Sequence, residues 1–505
     1  MKKYFNKVIL AVLFLSLSIV GCKKNFEPST AIDENSALTN PADIETATIG
    51  TYALLRSAAY VRSNHFLMEY PSDEVAQGQN SSDDLSRAYR YNHVTTSGHA
   101  NNFWVQSYLV VSAANKIIAS IPDNSTADLR QLKGENLYLR AMMHFNLVRA
   151  FGRPYTQNNG DNPGVPILRD GLTEEEKLTI SRSKVSEVYD FVINDLLKAS
   201  EMMNDLKANP FASKQVANAL LARVYLFMGN NPKAIEYADL VINSGRYSLL
   251  QGAEFNNYFR GAPEANLETI FCIRHVKTED QDFSAIGSMY FSGDANGNPA
   301  GQAQSGWGEI YASQKYYNFL SANPTDRRLS FITPYRVGGV LQMNTRLTPN
   351  TPMYYVNKYN FQEGIINLSS PVYIRLAEMY LIRAEANAKL GAATAQAALN
   401  DVNLLRQRAG LSGAALHTLA SVATSGKTIL DVVMEERWLE LAFEGHRAYD
   451  LFRNGRPMVR NYPGTHCLNT NPNNINQTVN PGDNRVVFYI PEQERAKNPN
   501  LTQNP

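Results

Sequence analysis

Apolar and polar positions follow a helical period along most of this chain, beginning near Pro41. The run WVQSYLVVSAANKIIASI, Trp104 to Ile121, places apolar residues at helical spacing and stops at Pro122; LKGENLYLRAMMHFNLVRAFG follows, with Tyr138, Ala141, Met142, Phe145 and Val148 along one face. Together they predict a helical hairpin. The clearest unit is ANALLARVYLFMGNNPKAIEYADLVINSG, Ala217 to Gly245, where Leu221, Ala222, Tyr225, Gly229 and Ala234 fall at tetratricopeptide positions and Asn218 stands where that repeat prefers tryptophan. Small residues there let two helices approach, and the glycine turns the chain between them. YIRLAEMYLIRAEANAKLG, Tyr373 to Gly391, followed by AQAALNDVNLLRQRAGL, predicts a second hairpin with looser spacing. From about Leu250 to Pro371 the chain is rich in Gly, Asn, Pro and aromatics and holds only short helical runs. Long aperiodic segments are usually functional or disordered, and the aromatic content argues against disorder. The expected fold class is all-α.

The first residues break this pattern. MKKYFNK carries Lys2, Lys3 and Lys7 without an acid, and VILAVLFLSLSIV follows as an apolar core of secretory-signal length, too short to span a bilayer. The signal ends in IVGC, where Ile19, Val20 and Gly21 precede Cys22 as in a bacterial lipobox, so Cys22 is the expected lipidation site. Residues 1–21 are thus expected to be a signal peptide and 22–45 a lipidated tether, polar and containing Pro28 and Pro41. The expected body comprises an N-terminal helical part, 46–245, and a C-terminal part, 246–505, packed as one unit. Two or three acyl chains on one cysteine supply the double signal that stable anchoring needs.

Removing the signal leaves 45 of the 48 basic residues against 47 acids, a formal charge near −2, so no basic surplus recommends nucleic acid as a partner. Of the three cysteines, Cys272 and Cys467 are open either to pairing or to burial as free thiols; they are too few for a disulfide framework. With 44% hydrophobic residues the chain can bury a large core.

The sequence holds no G-x-S-x-G elbow, H-E-x-x-H, Walker loop or C-x-x-C. The eight histidines are scattered at spacings that suit no metal, and no cofactor is expected. A structural calcium ion has one opening, the run from Asp294, but Pro299 sits where the tight-turn glycine is needed and Ser305 where a bidentate glutamate should be.

The densest concentration of charge is ERWLELAFEGHRAYDLFR, Glu436 to Arg453. On a helix, Glu436, Glu440 and Glu444 share one face, with Arg437, Arg447 and Arg453 expected to neutralise them. Gly445 is expected to end or bend the helix so that His446 and Arg447 fold back. A functional alternative makes His446 a base oriented by Glu444 or Asp450. The scaffold reading, an ion-paired helix end packed on the hairpins, is preferred because no nucleophile lies nearby.

This run resembles the signature of the SusD/RagB outer-membrane nutrient-binding lipoproteins, E-R-x-L-E-L-x-F-E-G-H-R-x-x-D-L-x-R, with Trp438 where arginine is frequent. YLRAMMHFNLVRAFG, ALLARVYLFMGN, GWG at Gly306 to Gly308, YIRLAEMYLIRAEANAKLG, LRQRAGL and YIPEQERAKNPNLTQNP agree in order across nearly the whole mature chain. The chain ends at Pro505 without the family's common short aromatic tail. The resemblance implies tetratricopeptide-like hairpins with irregular loops over one face, and a lipid-anchored protein on the outer surface of the outer membrane. It further implies capture of oligosaccharides or other nutrients for a SusC-type TonB-dependent transporter, without catalysis, and makes the charged run scaffold.

Sugars are held by aromatic faces against C–H-rich ring surfaces, aided by amides, carboxylates and arginine in open loop sites. Two loop regions qualify. His65 to His99 offers Asp73, Asp83, Arg87, Tyr89 and Tyr91, the two tyrosines pointing the same way if the segment is extended. Asp282 to Tyr311 offers Tyr290, Phe291, Asn296 and Trp307, the last flanked by glycines that leave room for a ligand. The competing readings are a lipid-anchored glycoside hydrolase, which needs only two carboxylates, and an assembly protein without ligand.

Overall fold

The structure, a computed structural model, describes residues 38–78, 84–279, 282–290, 306–347, 349–467 and 475–505. The main helices are α1 (Pro41–Leu55), α2 (Ala58–Glu69), α3 (Leu85–Arg90), α4 (Gly98–Ser120), α5 (Ala127–Phe151), α6 (Val185–Met202), α7 (Lys214–Met228), α8 (Asn231–Ile242), α9 (Leu376–Leu390), α10 (Ala395–Arg408), α11 (Ile429–Glu440) and α12 (Arg447–Arg453). None of the described helices is long and apolar enough to cross a membrane. The fold is all-α as expected, and α1 already begins at Pro41, inside the stretch assigned to the tether.

Local chemistry sets the helix ends. Asn40 accepts from the Asp43 N–H and Pro41 occupies the first turn of α1; Ser97 caps α4 by accepting from Ala100; Thr428 and Asp431 form a reciprocal capping box on α11. Successive helices pack side by side: α4 on α5, α5 on α6, α6 on α7, α7 on α8. The predicted hairpins α4/α5, α7/α8 and α9/α10 are all present, and the α7/α8 turn runs through Gly229 at φ 79°.

The helical stack is interrupted once. α8 packs directly on α9, although residues 243–375 lie between them in sequence. That excursion leaves through strand β2 (Thr269–Cys272) and returns through β10 (Val372–Arg375), which pairs with it antiparallel. Its remaining strands form two-stranded antiparallel pieces: β3 (Ile310–Ala312) with β1 (Val75–Gln77), β4 (Ile332–Pro334) with β9 (Tyr354–Val356), β5 (Arg336–Val337) with β6 (Val340–Leu341), and β7 (Met343–Asn344) with β8 (Thr351–Pro352). β11 (Met458–Asn461) pairs with β12 (Asn476–Val479). Cys272, on β2, is a buried free thiol.

The Glu436–Arg453 run lies at the junction of stack and excursion. α11 stops at Glu440, and the chain turns through positive φ at Phe443 (67°) and Gly445 (75°). Only glycine fits at 445, since a Cβ there would also sit 2.9 Å from that of Met68. The turn's N–H groups are taken by buried carboxylates at and just after the end of α2: Phe443 donates to Glu74 and Gly445 to Glu69, both at 2.8 Å.

Only Glu436 and Glu440 share a face of α11; Glu444 lies beyond the helix end, in the turn, and the cations of all three come from elsewhere than expected. Glu436 is held by Arg328 (2.6 Å) and Arg406 (2.9 Å), Glu440 by Arg375 (2.5 Å) and Arg408, and Glu444 by Lys358 (2.7 Å) and Arg375 (2.9 Å). Asp326 on Arg328 and Glu268 on Arg408 complete a buried set in which cations and carboxylates match one for one. Because the helix ends before Glu444, the local arginines point away from that face. Arg437 and Arg453 pair with Asp450 (2.9 and 2.7 Å) and Arg447 with Asp73 (2.7 Å), while Arg447 folds back over the Trp438 ring at 4.4 Å. His446 is buried with Nδ1 unpartnered; burial and the surrounding arginines hold it well below its ordinary pKa, so it is a neutral imidazole and Glu444 and Asp450 are both engaged elsewhere.

Candidate functional site

Of the three tryptophans, Trp104 and Trp438 are buried, whereas Trp307 is 50% exposed. Its position is fixed by the backbone: the N–H groups of Trp307 and Gly308 donate to the Ser288 carbonyl at 2.6 and 3.1 Å, and Ser288 Oγ donates to the Phe283 carbonyl at 2.7 Å. The Phe283 ring, itself partly exposed, meets the indole edge-on at 5.5 Å. Three residues after Trp307 the chain enters β3, whose register on β1 pairs Gln77 with Ile310 and is extended by the Gly78 N–H donating to the Glu309 carbonyl at 2.9 Å.

The facing wall comes from the excursion's hairpins. Met343, Asn344, Thr345, Arg346 and Met353 close, with Trp307, Glu309 and Tyr311, a surface cleft of about 260 Å³. Asn344 joins the walls: its Nδ2 donates to the Gly78 carbonyl and to Tyr311 Oη (3.1 Å). Gly78 permits this approach, because a Cβ there would fall 2.4 Å from Asn344 Nδ2. The lining of this cleft thus combines one exposed aromatic face with an amide, a phenol, a carboxylate and a guanidinium. That is the composition that holds a sugar ring, by stacking on one face and hydrogen bonding at its edge. Among the described residues no cluster of His, Cys, Asp or Glu could hold a metal ion.

Two family models cover most of the chain: one described as the SusD family matches residues 335–505, and one described as starch-binding associating with outer membrane matches 27–226. The chain belongs to the SusD/RagB family. SusD-like protein P2 of Formosa agariphila is 28% identical over 530 residues, covering 100% of this chain and 99% of its own. A SusD superfamily crystal structure from Bacteroides thetaiotaomicron matches with a TM-score of 0.79 and 28% identity, over 92% of this chain and 100% of its own. A candidate sugar-binding protein from Bacteroides vulgatus matches with a TM-score of 0.74 and 26% identity, over 92% and 98%.

Within this SusD/RagB chain, the side chains named from sequence separate sharply. Trp307 faces the cleft, and Arg87 lies half-buried on α3 beside Asp84 at 3.7 Å. Asp83, Phe291 and Asn296, with Cys22, lie outside the described residues. The other four are interior. Tyr89 is on helix α3 and Tyr91 at its left-handed C-cap, so the extended segment that would have aimed them together is absent. Tyr89 Oη meets His466 Nδ1 at 2.8 Å, Tyr91 Oη donates to the Pro71 carbonyl at 2.6 Å, and the Arg460 guanidinium lies over both rings. Tyr290 is fully buried, bonded to His65 Nε2 at 2.8 Å and stacked on Tyr359 at 5.7 Å. Asp73 is buried between Arg447 and Lys315, both at 2.7 Å; burial alone would raise its carboxyl, but these two cations hold it well below the usual carboxylate range. These four build the platform under the loops.

Sequence reasoning missed Phe283, Glu309, Tyr311, Asn344 and Arg346. Their one sequence signal was membership of the aperiodic aromatic- and Asn-rich stretch.

Proposed function

We propose that this SusD/RagB-family chain is an outer-membrane lipoprotein that captures oligosaccharides in the Trp307 cleft and passes them to a SusC-type TonB-dependent transporter. The observation that carries the reading is the exposed Trp307 indole, pinned through Ser288 in the wall of a surface cleft that is also lined by polar side chains. The family description as starch-binding and outer-membrane-associated supports the ligand class and the location. Cys22 carries the lipid, and the polar residues after it separate the body from the membrane. Binding without turnover is the expected behaviour. Glycoside hydrolysis needs two carboxylates across the scissile bond, and Glu309 is the one carboxylate among the described residues lining the cleft. The carboxylates of the Glu436–Arg453 run are enclosed in ion pairs.

The test uses the mature lipidated chain in detergent. Incubation with a panel of neutral oligosaccharides should leave every sugar intact by chromatography while retarding one class on an affinity gel, and affinity purification from the native outer membrane should bring down a TonB-dependent barrel. Shortened sugars would replace this reading with the hydrolase; a barrel recovered without any sugar affinity would replace it with an assembly protein.

A further inference from the structure

Behind the Gly445 turn lies a second, narrower cleft of about 50 Å³, whose walls include Asn64, Arg149, Arg223, Glu444 and His446. It is remote from Trp307 in composition: mostly buried side chains, and rich in guanidinium. The charges of this wall are matched except at one residue. Glu444 is held by Lys358 and Arg375, and Arg223 is locked to Glu378 at 2.6 Å. Arg149 has no carboxylate at ion-pair distance among the described residues; its hydrogen bond goes from Nη2 to the Gly445 carbonyl at 2.9 Å, and Nε has no partner.

The contrast with Arg460 shows what is missing. Arg460, equally buried, engages carbonyls of Tyr70, Ser72 and Tyr89 and the side chain of Gln477. Arg149 instead has its flat faces covered by aromatic rings, Tyr449 at 4.5 Å and Phe227 at 5.1 Å from the guanidinium carbon. Ring faces stabilise the cation without accepting its N–H groups, so the edge donors remain directed in the guanidinium plane. His446 adds a neutral imidazole with Nδ1 unpartnered, and Asn64 in the same wall an unpartnered amide oxygen that a half-turn of the amide replaces with a donor. An uncompensated buried cation beside unsatisfied polar atoms is costly. Water in the cleft would satisfy the hydrogen bonds but not the charge.

We propose that this cleft binds a small inorganic anion, of chloride size, against the edge of Arg149. The volume suits about one to two water-sized species, which excludes a sugar or a phosphorylated ligand, and the half-buried Asn64 in its wall leaves a route to solvent. The anion would bridge Arg149 on α5 to the Gly445 turn and so tie the helical stack to the Glu436–Arg453 run.

Two measurements on the mature chain test this. Crystals soaked in sodium bromide should show an anomalous peak in the cleft beside Arg149. The unfolding midpoint in solution should be higher in sodium chloride than in sodium gluconate at equal ionic strength, gluconate being too large to enter, and Arg149→Met should abolish the difference. Because the wild-type measurements stand alone, failure of the variant to fold does not blunt the test. Absence of a peak overturns the proposal, whatever the midpoints do; a peak with equal midpoints means binding at crystal concentration only and overturns it as well.

Discussion

Arg375, the last residue of β10, places its Nε 2.9 Å from Glu444 Oε2 and its Nη1 2.5 Å from Glu440 Oε1, so one guanidinium fastens the returning excursion to the signature turn. Both glutamates are buried, and burial opposes their ionisation until Arg375, Arg408 and Lys358 offset it. Arg375→Met leaves carboxylates inside the protein short of a partner. The expected cost is about 3–5 kcal/mol of folding stability, measured by urea unfolding; a loss below about 1 kcal/mol would show that the pairs are not structural.

Tyr89 and Tyr290 are placed here in the platform, not in the ligand site. Tyr89→Phe removes a part-buried hydrogen bond to His466 and Tyr290→Phe a buried one to His65; each should cost about 1 kcal/mol of stability with sugar affinity unchanged. A variant that loses affinity but keeps its stability would return its tyrosine to the binding site.

Acid should destabilise the fold. Burial lowers His65 to about 3 and His144 and His275 to about 4, and pushes His446 down too, so the folded state keeps these rings neutral while the unfolded chain protonates them near 6.5. The unfolded state therefore binds more protons between about pH 4 and 6.5, and stability falls as pH drops through that window. The coupled buried pair Glu69 and Glu74 acts in the opposite sense: burial raises both carboxyls, and the charge of Glu69 raises Glu74 further, so their contribution is complete below the ordinary carboxylate pKa and is lost as pH rises above it. The lowered histidines outnumber this pair. Urea midpoints at pH 6.5, 5.5 and 4.5 should decrease in that order, and Glu69→Gln should steepen the decrease. Midpoints that stay level or rise on acidification would contradict this account.

The helical stack was legible because each hairpin repeats an apolar spacing, as in Tyr138, Ala141, Met142 and Phe145, and because Gly229 marks its own turn. The cleft was legible only at Trp307, whose flanking glycines distinguish it from the buried Trp104 and Trp438. Its other wall rests on hairpins such as β7–β8, with two residues per strand, too short for any period to show. The partners of Glu436, Glu440 and Glu444 were illegible for a different reason. Arg328 and Arg375 come from the excursion and Arg406 and Arg408 from α10, so the pairing exists only after the stack has closed over residues 243–375. Tyr89 and Tyr91 misled because alternate spacing predicts a shared face only on a strand, and residues 85–90 are helical.

The central claim is that an exposed aromatic face at Trp307 captures sugar. Calorimetric titration of the mature chain and of Trp307→Ala against the same oligosaccharide panel tests it most directly. The account predicts a sugar bound by the wild type and weakened by about 2 kcal/mol, roughly 30-fold, in the variant, with unfolding midpoints alike because the residue is half exposed. Equal affinities in the two proteins would contradict it.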